Sequence, residues 1–467
     1  MTAKEGNSQE LDLGPRIEQV SNTGLLALPA NAPISINARQ RIKVNLVPVP
    51  TFPASKFKSI PTFICVAAPP TPRQNVKDYP SIAIRCPADE PPDGYNTHQM
   101  YGKANMAEMK KKYGIGYANY DASSEPPVPV IHQDLATWYL LQELRREVSF
   151  ENWSWIHEQA HLLEYPNSRG VKQAKPFRPG DHSSVFLLNP GPLDAKVRRS
   201  YAVLATQVHS SPSSLTVFPS LTELEHTYQK LGDLAALNDL AAGIHYRPKT
   251  CLIGNESHHF PHDGCPLMYE QQYVAKRNNS SCSMHVFERD IDVDQDSQPD
   301  GTRTKPALGI DRWFYQERVP LLREVGEFRV FLTTVSDPRG TRGRHSKHLH
   351  SIFTKPRVTP GFAAFALDDY FWSQHLAAYF APLTLDSLPV FAMEVHEGLR
   401  ARSDWKIYYE SLDVAVRLDI GVSPNRKFFV NEVTRIWCGD FFSDQTLAEP
   451  KRKIIWAVAK ALDEYFQ

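Results

Sequence analysis

The second half of the chain alternates between two hydrophobic periods, one typical of strands and one typical of helices. Apolar and polar residues alternate in four runs, which predict strands at WFYQERV, EFRVFLTTV, VAVRLDIGV and KFFVNEV. Apolar residues recur at helical spacing near residues 368–380 and 450–466, which predicts a helix in each place. This half is therefore expected to mix strands and helices.

The middle of the chain predicts an α/β layer ahead of those strands. Helical periods cover residues 133–146 and 153–163, whereas strand-like composition marks SVFLLNPGP, SYAVLATQV, LTVFPS, KTCLIG and QQYVAKR. The segment that begins at Ser220 predicts one long helix, or two joined near Gly232, and Gly243 is expected to end it. Ser220 and Glu223 have the spacing of a capping box.

The first part of the chain is harder to interpret because proline interrupts it. Residues 1–40 are polar and are expected to form a flexible lead-in. After Arg41, the runs IKVNLVPVP, TFICVAAPP and SIAIRC are strand-like. The 37 prolines of the chain push such runs toward sheet edges and loops.

Composition narrows the class of protein. The chain has 467 residues, of which 42% are hydrophobic and 22% charged, as expected for a globular protein of roughly two to four structural units. Lys plus Arg and Asp plus Glu are both 52, so no overall field favours nucleic acid or an anionic membrane. The sequence shows no signal peptide pattern and no apolar run of spanning length, so we expect a cytoplasmic protein with no membrane partner. The six cysteines are then expected to be reduced thiols.

Two lysines are candidates for binding phosphate groups. Lys276 ends a predicted strand and opens the loop NNSSCSMHV, whose small polar residues allow backbone amides to approach an anion. Lys230 lies on the preceding predicted helix. A single lysine in either place is usually a solvated surface charge. Only the order of the elements around them favours a binding site.

Charged pairs follow on the predicted strands. Strand alternation places Glu327 and Arg329 on one face, opposite Phe328 and Val330. Further along, Asp419 in RLDI and Glu432 in FFVNEV lie on two strands joined through SPNR. An antiparallel hairpin brings such carboxylates together, as a hard divalent cation requires. The alternative is a hairpin with charges on its solvent face.

The order Lys230, Lys276, QERV, EFRVF, RLD and NEV resembles the ATP-grasp superfamily, over about residues 200–467. D-alanyl-D-alanine ligases, glutathione synthetase and ribosomal-protein glutamate ligases belong to this family. The resemblance implies an α/β (α+β) chain whose ATP-grasp fold follows an α/β pre-ATP-grasp region and an extra N-terminal extension.

The resemblance also implies domain boundaries. Those expected are a flexible segment at 1–40, an α/β region of unassigned role at 41–180, the end of a pre-ATP-grasp-like layer at 181–220, an ATP-grasp small subdomain at 221–300 and a large subdomain at 301–467.

Site roles follow from the resemblance, residue by residue. It places the phosphates of ATP on Lys230 and Lys276, adenine on the hinge segment of Glu317, Arg318 and Val319, and the ribose on Glu327. It assigns Mg²⁺ to Asp419 and Glu432, and the acyl phosphate to Arg417, with Arg329 supplying further positive charge. The expected cofactors are therefore ATP and Mg²⁺.

The activity implied is ADP-forming ligation of a carboxylate to an amine through an acyl phosphate. The substrates expected are amino-acid-like small molecules, and the setting expected is specialised metabolite biosynthesis. The sequence gives no oligomeric state. The loop at Asn278 and the basic segment RGTRGRHSKHLH are expected to be mobile covers that exclude water.

Two departures from the family pattern support a second hypothesis. Thr434 stands where the family usually has Asn, with Asn431 just before Glu432, and no glycine lies between Lys276 and Val286. These departures suit a nucleotide-binding regulatory protein that has lost catalysis. A third hypothesis keeps amide-bond formation but uses another activated acyl donor, such as an aminoacyl-tRNA.

Two other patterns are weaker candidates for a site. Cys251, His258, His259, His262 and Cys265 lie close together, but their spacing fits no standard structural zinc site, and we expect a connection between strands. Residues 339–350 are basic but lack interleaved aromatic residues, so a solvated loop or a lid is expected there, and no nucleic-acid partner.

Overall fold

The computed structural model describes much of the chain from residue 62 onward. The described residues are 62–67, 83–85, 118–121, 128–133, 136–137, 140–141, 144, 148–164, 183–188, 195–210, 215–227, 230–241, 245–252, 273–277, 286–288, 313–337, 343–356, 362–402, 408–435 and 448–466. By internal contacts the chain divides into Met1–Phe57 and Lys58–Gln467, and every described residue belongs to the second unit.

Sixteen strands are present in these residues. They are β1 Thr62–Ala67, β2 Ala83–Arg85, β3 Ala118–Asp121, β4 Val128–His132, β5 Val148–Asn152, β6 Ser183–Leu188, β7 Leu215–Phe218, β8 Thr250–Leu252, β9 Tyr273–Arg277, β10 Val286–Glu288, β11 Trp313–Glu317, β12 Glu327–Ser336, β13 Arg344–Pro356, β14 Phe362–Ala366, β15 Ala415–Val422 and β16 Phe428–Arg435.

The helices lie between the strands and after the last of them. They are α1 Trp153–Glu164, α2 Ala195–Ser210, α3 Leu221–Thr227, α4 Lys230–Ala241, α5 Pro320–Glu324, α6 Asp369–Phe371, α7 Ala377–Phe380, α8 Ser387–Ala401 and α9 Ala448–Tyr465. A π-helical turn, Trp372–Leu376, joins α6 to α7, and a 3₁₀ turn, Glu410–Asp413, precedes β15. No helix among the described residues has the length and apolar character needed to cross a bilayer.

A parallel sheet forms the first layer, with the strand order β5-β1-β6-β7. Helices α1 and α2 pack against each other beside it, and Nδ1 of His157 lies 2.8 Å from Oγ of Ser200. This layer confirms the α/β architecture predicted ahead of the site.

The strand predicted at SYAVLATQV is wrong, because these residues belong to helix α2. Tyr201 and Leu204 are both fully buried, and their spacing of three places them on one helical face. The Tyr201 hydroxyl donates a hydrogen bond to the backbone oxygen of Pro219. Burial along one face of a helix therefore overrides the strand-like composition of this run.

Three further sheets are antiparallel. The small sheet has the order β10-β9-β11-β8, the large sheet has the order β14-β13-β12-β15-β16, and a three-stranded sheet has the order β2-β4-β3. The predicted strands at TFICVAAPP, SIAIRC, SVFLLNPGP, LTVFPS, KTCLIG, QQYVAKR and the four runs of the second half are confirmed as β1, β2, β6 to β9, β11, β12, β15 and β16.

The two faces of the large sheet differ in character. One face contributes Phe328, Val330, Leu418 and Ile420 to an apolar core that also contains Leu388 of α8. Residues between them in sequence, among them Arg329 and Asp419, project from the other face. The apolar face anchors the sheet and leaves the charged face available for a site.

Helices α3 and α4 take the place of the single long helix considered from the sequence. The first ends at Thr227 and the second begins at Lys230, so Gly232 lies inside α4 and is not the junction. Oγ of Ser220 accepts from the backbone amide of Glu223 at 3.2 Å, which is half of the predicted capping box. The Glu223 side chain turns away into a buried cluster with Ser411.

The basic segment RGTRGRHSKHLH is largely a strand, which corrects the prediction of a loop. Residues 344–350 belong to β13. Side-chain exposure alternates there as in a strand: His345 is exposed, Ser346 is buried and Lys347 is exposed. Pairing with β12 along its length fixes this segment in the sheet. The predicted strand at IKVNLVPVP and the loops at Asn278 and Cys265 lie outside the described residues.

Candidate active site

A hairpin of β15 and β16 carries the two carboxylates predicted to bind metal. Asp419 and Glu432 are direct cross-strand partners. The turn between the strands is closed by the amide of Ser423, which donates to the oxygen of Lys427 at 2.9 Å. Arg426 adopts a left-handed backbone conformation there, with φ 58°. Direct partners share a face of the sheet, so both side chains leave the same face of the hairpin.

The row of charged residues continues onto a third strand. Arg329 of β12 is the cross-strand partner of Asp419, so Arg329, Asp419 and Glu432 form a line across three strands. Nε of Arg329 lies 4.0 Å from Oδ2 of Asp419. One cation and two carboxylates thus face the same space.

Arg417 holds the carboxylate of Asp419 in a two-point contact. Its Nε donates to Oδ1 at 2.8 Å and its Nη2 to Oδ2 at 3.0 Å. Nη2 also donates to Oγ1 of Thr434 at 3.2 Å. Both Arg417 and Asp419 are buried, so this paired geometry fixes the orientation of each group.

A β-bulge brings an additional residue to the charged face. Asp419 pairs with Glu432 and Ile420 pairs with Val430, so Asn431 is the extra residue opposite this step. Nδ2 of Asn431 donates to Oε2 of Glu327 at 3.1 Å. The bulge therefore presents Asn431 beside Glu432, a placement that strict strand alternation does not predict.

Lys276 reaches the charged face from the small sheet. Its Nζ donates to Oε1 of Gln316 at 2.7 Å and to Oδ1 of Asn431 at 3.4 Å. Burial, and after it the charge of Lys230, lower the pKa of Lys276 to about 8, against the opposing effect of Glu432 and Glu327. The structure therefore brings Lys276 together with residues of the large sheet.

Lys230 approaches from the first turn of helix α4. Its Nζ lies 3.8 Å from Oε1 of Glu432, and both side chains are partly exposed to solvent. Such a pair is weak because water screens it. Lys230 and Lys276 thus converge near Glu432 although they lie on different elements.

The predicted hinge, Glu317 to Val319, begins at the last residue of β11. The amide of Glu317 donates to the oxygen of Lys249 at 2.8 Å, and the amide of Lys249 donates to Oε2 of Glu317 at 3.0 Å. Arg318 and buried Val319 then lead into helix α5. The Glu317 carboxylate is thus engaged in a local contact with the backbone.

Negative charge is concentrated where the row of charged residues meets Glu327. Burial, and after it the charge of Asp419, raise the pKa of Glu327 to about 7, against the opposing effect of Arg329 and the hydrogen bond from Asn431. A cation placed between these carboxylates would relieve their repulsion.

The donor set fits Mg²⁺ bound together with a substrate. No group of three or more His, Cys, Asp or Glu side chains in the described residues is arranged to hold a metal. Mg²⁺ needs no such cage, because it is usually bound by one or two carboxylates with waters and substrate phosphates. Asp419 and Glu432 can supply those carboxylates.

A second, fully buried cluster holds helix α4 against β16. Arg435 donates from Nη1 to Oδ2 of Asp233 at 2.5 Å and from Nη2 to Oδ1 at 2.9 Å. Tyr409 donates to the same Oδ1 at 3.0 Å, and Oγ of Ser411 donates to Oε1 of Glu223 at 2.5 Å. We call Arg435, Asp233, Glu223, Tyr409 and Ser411 the Arg435 cluster.

The pKa shifts in the Arg435 cluster differ between its two acids. Burial raises the pKa of Glu223 to about 8, against the opposing effect of Arg435 and Ser411. For Asp233, burial acts upward, but Arg435 and His226 outweigh it and lower the pKa. Asp233 is therefore the ionised partner of Arg435.

Sequence reasoning gave Gln316 and Asn431 no role of their own in the site, and it missed the Arg435 cluster. The roles of Gln316 and Asn431 depend on contact between two sheets and on a bulge, which the sequence does not reveal. The cluster left a weak signal: Glu223, Asp233 and Arg435 are charged residues at positions that the predicted elements bury.

Comparisons with known proteins give similarities among solved structures. No protein-family model and no curated protein sequence matches the chain. It resembles the D-cycloserine synthetase DcsG at 13% identity and a TM-score of 0.39, over 71% of this chain and 93% of that one. It resembles the ATP-grasp ligase PsnB, complexed with a phosphomimetic variant of minimal precursor, Mg and ADP, at 14% identity and a TM-score of 0.36, over 72% of this chain and 95% of that one.

A third similar structure is N5-carboxyaminoimidazole ribonucleotide synthetase from Thermotoga maritima. Its identity is 12% and its TM-score 0.30, over 54% of this chain, and the match spans about half of that enzyme, 51%. PsnB is described as an ATP-grasp ligase, and ATP-grasp is also the family that the sequence resembles. The three TM-scores are below 0.5 and assign no function by themselves.

Proposed function

We propose that this chain is an ATP-dependent, ADP-forming ligase that joins a carboxylate to an amine through an acyl phosphate. The observation that carries the proposal is the line of Arg329, Asp419 and Glu432, which Lys276 and Lys230 approach from two other elements. Cations for phosphates and adjacent carboxylates for a divalent cation are what phosphoryl transfer from ATP requires.

The substrate groups are assigned to this geometry as follows. Lys276 and Lys230 bind the phosphates of ATP, the backbone from Glu317 to Val319 contacts adenine, and Glu327 binds the ribose. Asp419 and Glu432 would hold Mg²⁺, which neutralises phosphate charge when bound. The boundaries at 220 and 300 that separate small and large subdomains belong to the same proposal.

The reaction has two steps that balance in atoms and charge. A carboxylate oxygen of the substrate attacks the γ-phosphorus of ATP, and ADP leaves. The amine nitrogen then attacks the acyl carbon, phosphate leaves, and the nitrogen loses a proton. Arg417 and Arg329 stabilise the negative charge that develops on the acyl phosphate. We propose amino-acid-like molecules as the substrates and the cytoplasm as the location.

The test is ADP release screened across pools of amino acids and dipeptides with magnesium present. Lys276→Ala and Glu432→Ala should each lower substrate-dependent ADP release by about 100-fold, as removal of a charge-stabilising group does elsewhere. Lys427→Ala and Glu324→Ala are matched controls, because both residues are exposed and lie outside the site. Unchanged release in the site variants would refute the proposal.

A second function, nucleotide binding without catalysis, has one observation in its favour. Arg417 contacts both oxygens of Asp419 and also the hydroxyl of Thr434, which stands where the family usually has Asn. This contact competes with metal binding at Asp419. ATP binding with no ADP release for any substrate pool would favour this function, and robust release would exclude it.

A further inference from the structure

The ammonium group of Lys276 is held by two neutral side chains. Its hydrogen bonds go to the amide oxygens of Gln316 and Asn431, at 2.7 and 3.4 Å. Lys230, by contrast, faces a carboxylate: its Nζ lies 3.8 Å from Oε1 of Glu432. Two lysines that converge on one site are thus oriented in chemically different ways.

The orientation of both amides is fixed by their other contacts. Nε2 of Gln316 donates to Oγ1 of Thr250 at 3.2 Å, and Nδ2 of Asn431 donates to Oε2 of Glu327 at 3.1 Å. Because the ammonium group of Lys276 can only donate, the amide oxygen of Asn431 faces Lys276 and its Nδ2 faces Glu327. Thr250, Gln316, Lys276, Asn431 and Glu327 therefore form one chain of hydrogen bonds from the small sheet to the large sheet.

A neutral acceptor and a carboxylate affect a lysine differently. An amide oxygen orients the ammonium group but leaves its net charge, whereas a carboxylate neutralises that charge and competes with an incoming anion. The bulge that displaces Asn431 puts an amide, and not the neighbouring Glu432, in direct contact with Lys276.

We propose that Gln316 and Asn431 are positioning residues that hold Lys276 toward the phosphates of a nucleotide while leaving its charge available to them. This inference rests on the proposed function. Replacing either amide by the carboxylate of the same shape should weaken nucleotide binding because Lys276 gains a permanent anionic partner. Shortening the side chain should have a smaller effect, since the charge of Lys276 stays available.

The experiment measures the affinity of Mg·ADP by titration calorimetry. Asn431→Asp and Gln316→Glu should each weaken binding about tenfold or more, and Asn431→Ala should weaken it less. Asn425→Asp, on the exposed turn of the same hairpin, is the control for an added negative charge. Thermal melting monitors folding, and Gln316→Glu tests the same idea if Asn431→Asp does not fold.

A double-mutant cycle separates positioning of Lys276 from general repulsion of phosphates. If Asn431 acts through Lys276, Asn431→Asp should have little further effect on ADP affinity in the Lys276→Ala protein. An equal loss in both backgrounds, or equal affinities of Asn431→Asp and Asn431→Ala, would overturn the inference. Failure of the folded wild-type protein to bind Mg·ADP would instead count against the proposed function.

Discussion

Strand β16 contributes to two polar clusters that differ in burial and in charge balance. At Glu432 the side chain is 44% exposed, and its neighbours include the carboxylates of Asp419 and Glu327. At Arg435 the side chain is 0% exposed, and a carboxylate of Asp233 meets two of its nitrogens. The first cluster combines several cations and carboxylates that are partly open to solvent, whereas the second has its main charges paired inside the protein.

This difference indicates that the cluster at Glu432 is a binding site and that the Arg435 cluster has a structural role. An uncompensated charge is costly in the core, so it is found where a ligand can reach and neutralise it. A buried cluster whose main charges are paired has little to attract a ligand. Its contacts instead hold the helices and strands that contribute to it together. The Arg435 cluster fastens α4 to β16, and Lys230 begins α4, so the cluster also places one lysine near Glu432.

The largest effect is expected from breaking the pair of Asp233 and Arg435 in the Arg435 cluster. Asp233→Ala leaves the buried guanidinium of Arg435 without its main partner, which should lower the free energy of unfolding by about 3–5 kcal/mol. Glu223→Gln should cost less than about 1 kcal/mol at pH 7, because the raised pKa of Glu223 keeps that acid largely neutral. Urea denaturation measures both, and equal losses would contradict the assigned charges.

The next effect is smaller and concerns the activation free energy of the reaction at the candidate active site, with no change in stability. Glu432→Gln keeps the shape of the side chain and removes its charge, so ADP release should fall about 100-fold, or roughly 2.7 kcal/mol. The melting temperature should stay within a degree or so, since Glu432 is partly exposed and its pair with Lys230 is weak. Glu324→Gln is the matched control. A loss of stability comparable to that of Asp233→Ala would remove the distinction between the clusters.

The last effect is gradual: a pH dependence that comes from Glu223. Its pKa in the folded protein, about 8, is above its ordinary value of 4.5, so its contribution to stability is complete below pH 4.5 and is lost as the pH rises through 8. Between those values the wild-type protein should lose up to about 1.4 kcal/mol per pH unit relative to Glu223→Gln. Urea denaturation at pH 5, 6, 7 and 8 checks the sign, and a difference that grows with pH in favour of the wild type would contradict it.

Hydrophobic period predicted most strands of the second half and the pairing of Asp419 with Glu432. Alternation suffices there because one face of the sheet is buried and the hairpin is local. It failed at SYAVLATQV, where composition suited a strand but burial of Tyr201 and Leu204 on one face required a helix. It also failed at residues 344–350, where basic residues hid the alternation of β13.

Site residues were predictable where they lie on regular strands and follow a motif. Lys276, Arg329 and Asp419 lie on regular strands; the structure pairs Arg329 with Asp419 and brings Lys276 into contact with Asn431 of the next strand. The role of Asn431 was missed because a bulge changes the direction of a side chain without leaving a mark in the sequence. Arg435 was missed because its partners, Asp233 and Glu223, come from helices distant in the chain.

The most direct test of the nucleotide site is the equilibrium binding of Mg·ADP to the wild-type protein, to Lys276→Ala and to Lys427→Ala. The wild-type protein and Lys427→Ala should bind equally, and Lys276→Ala should bind at least about tenfold more weakly at an unchanged melting temperature. Absence of binding by the folded wild-type protein, or equal binding by Lys276→Ala, would contradict the assignment of this cluster as a nucleotide site.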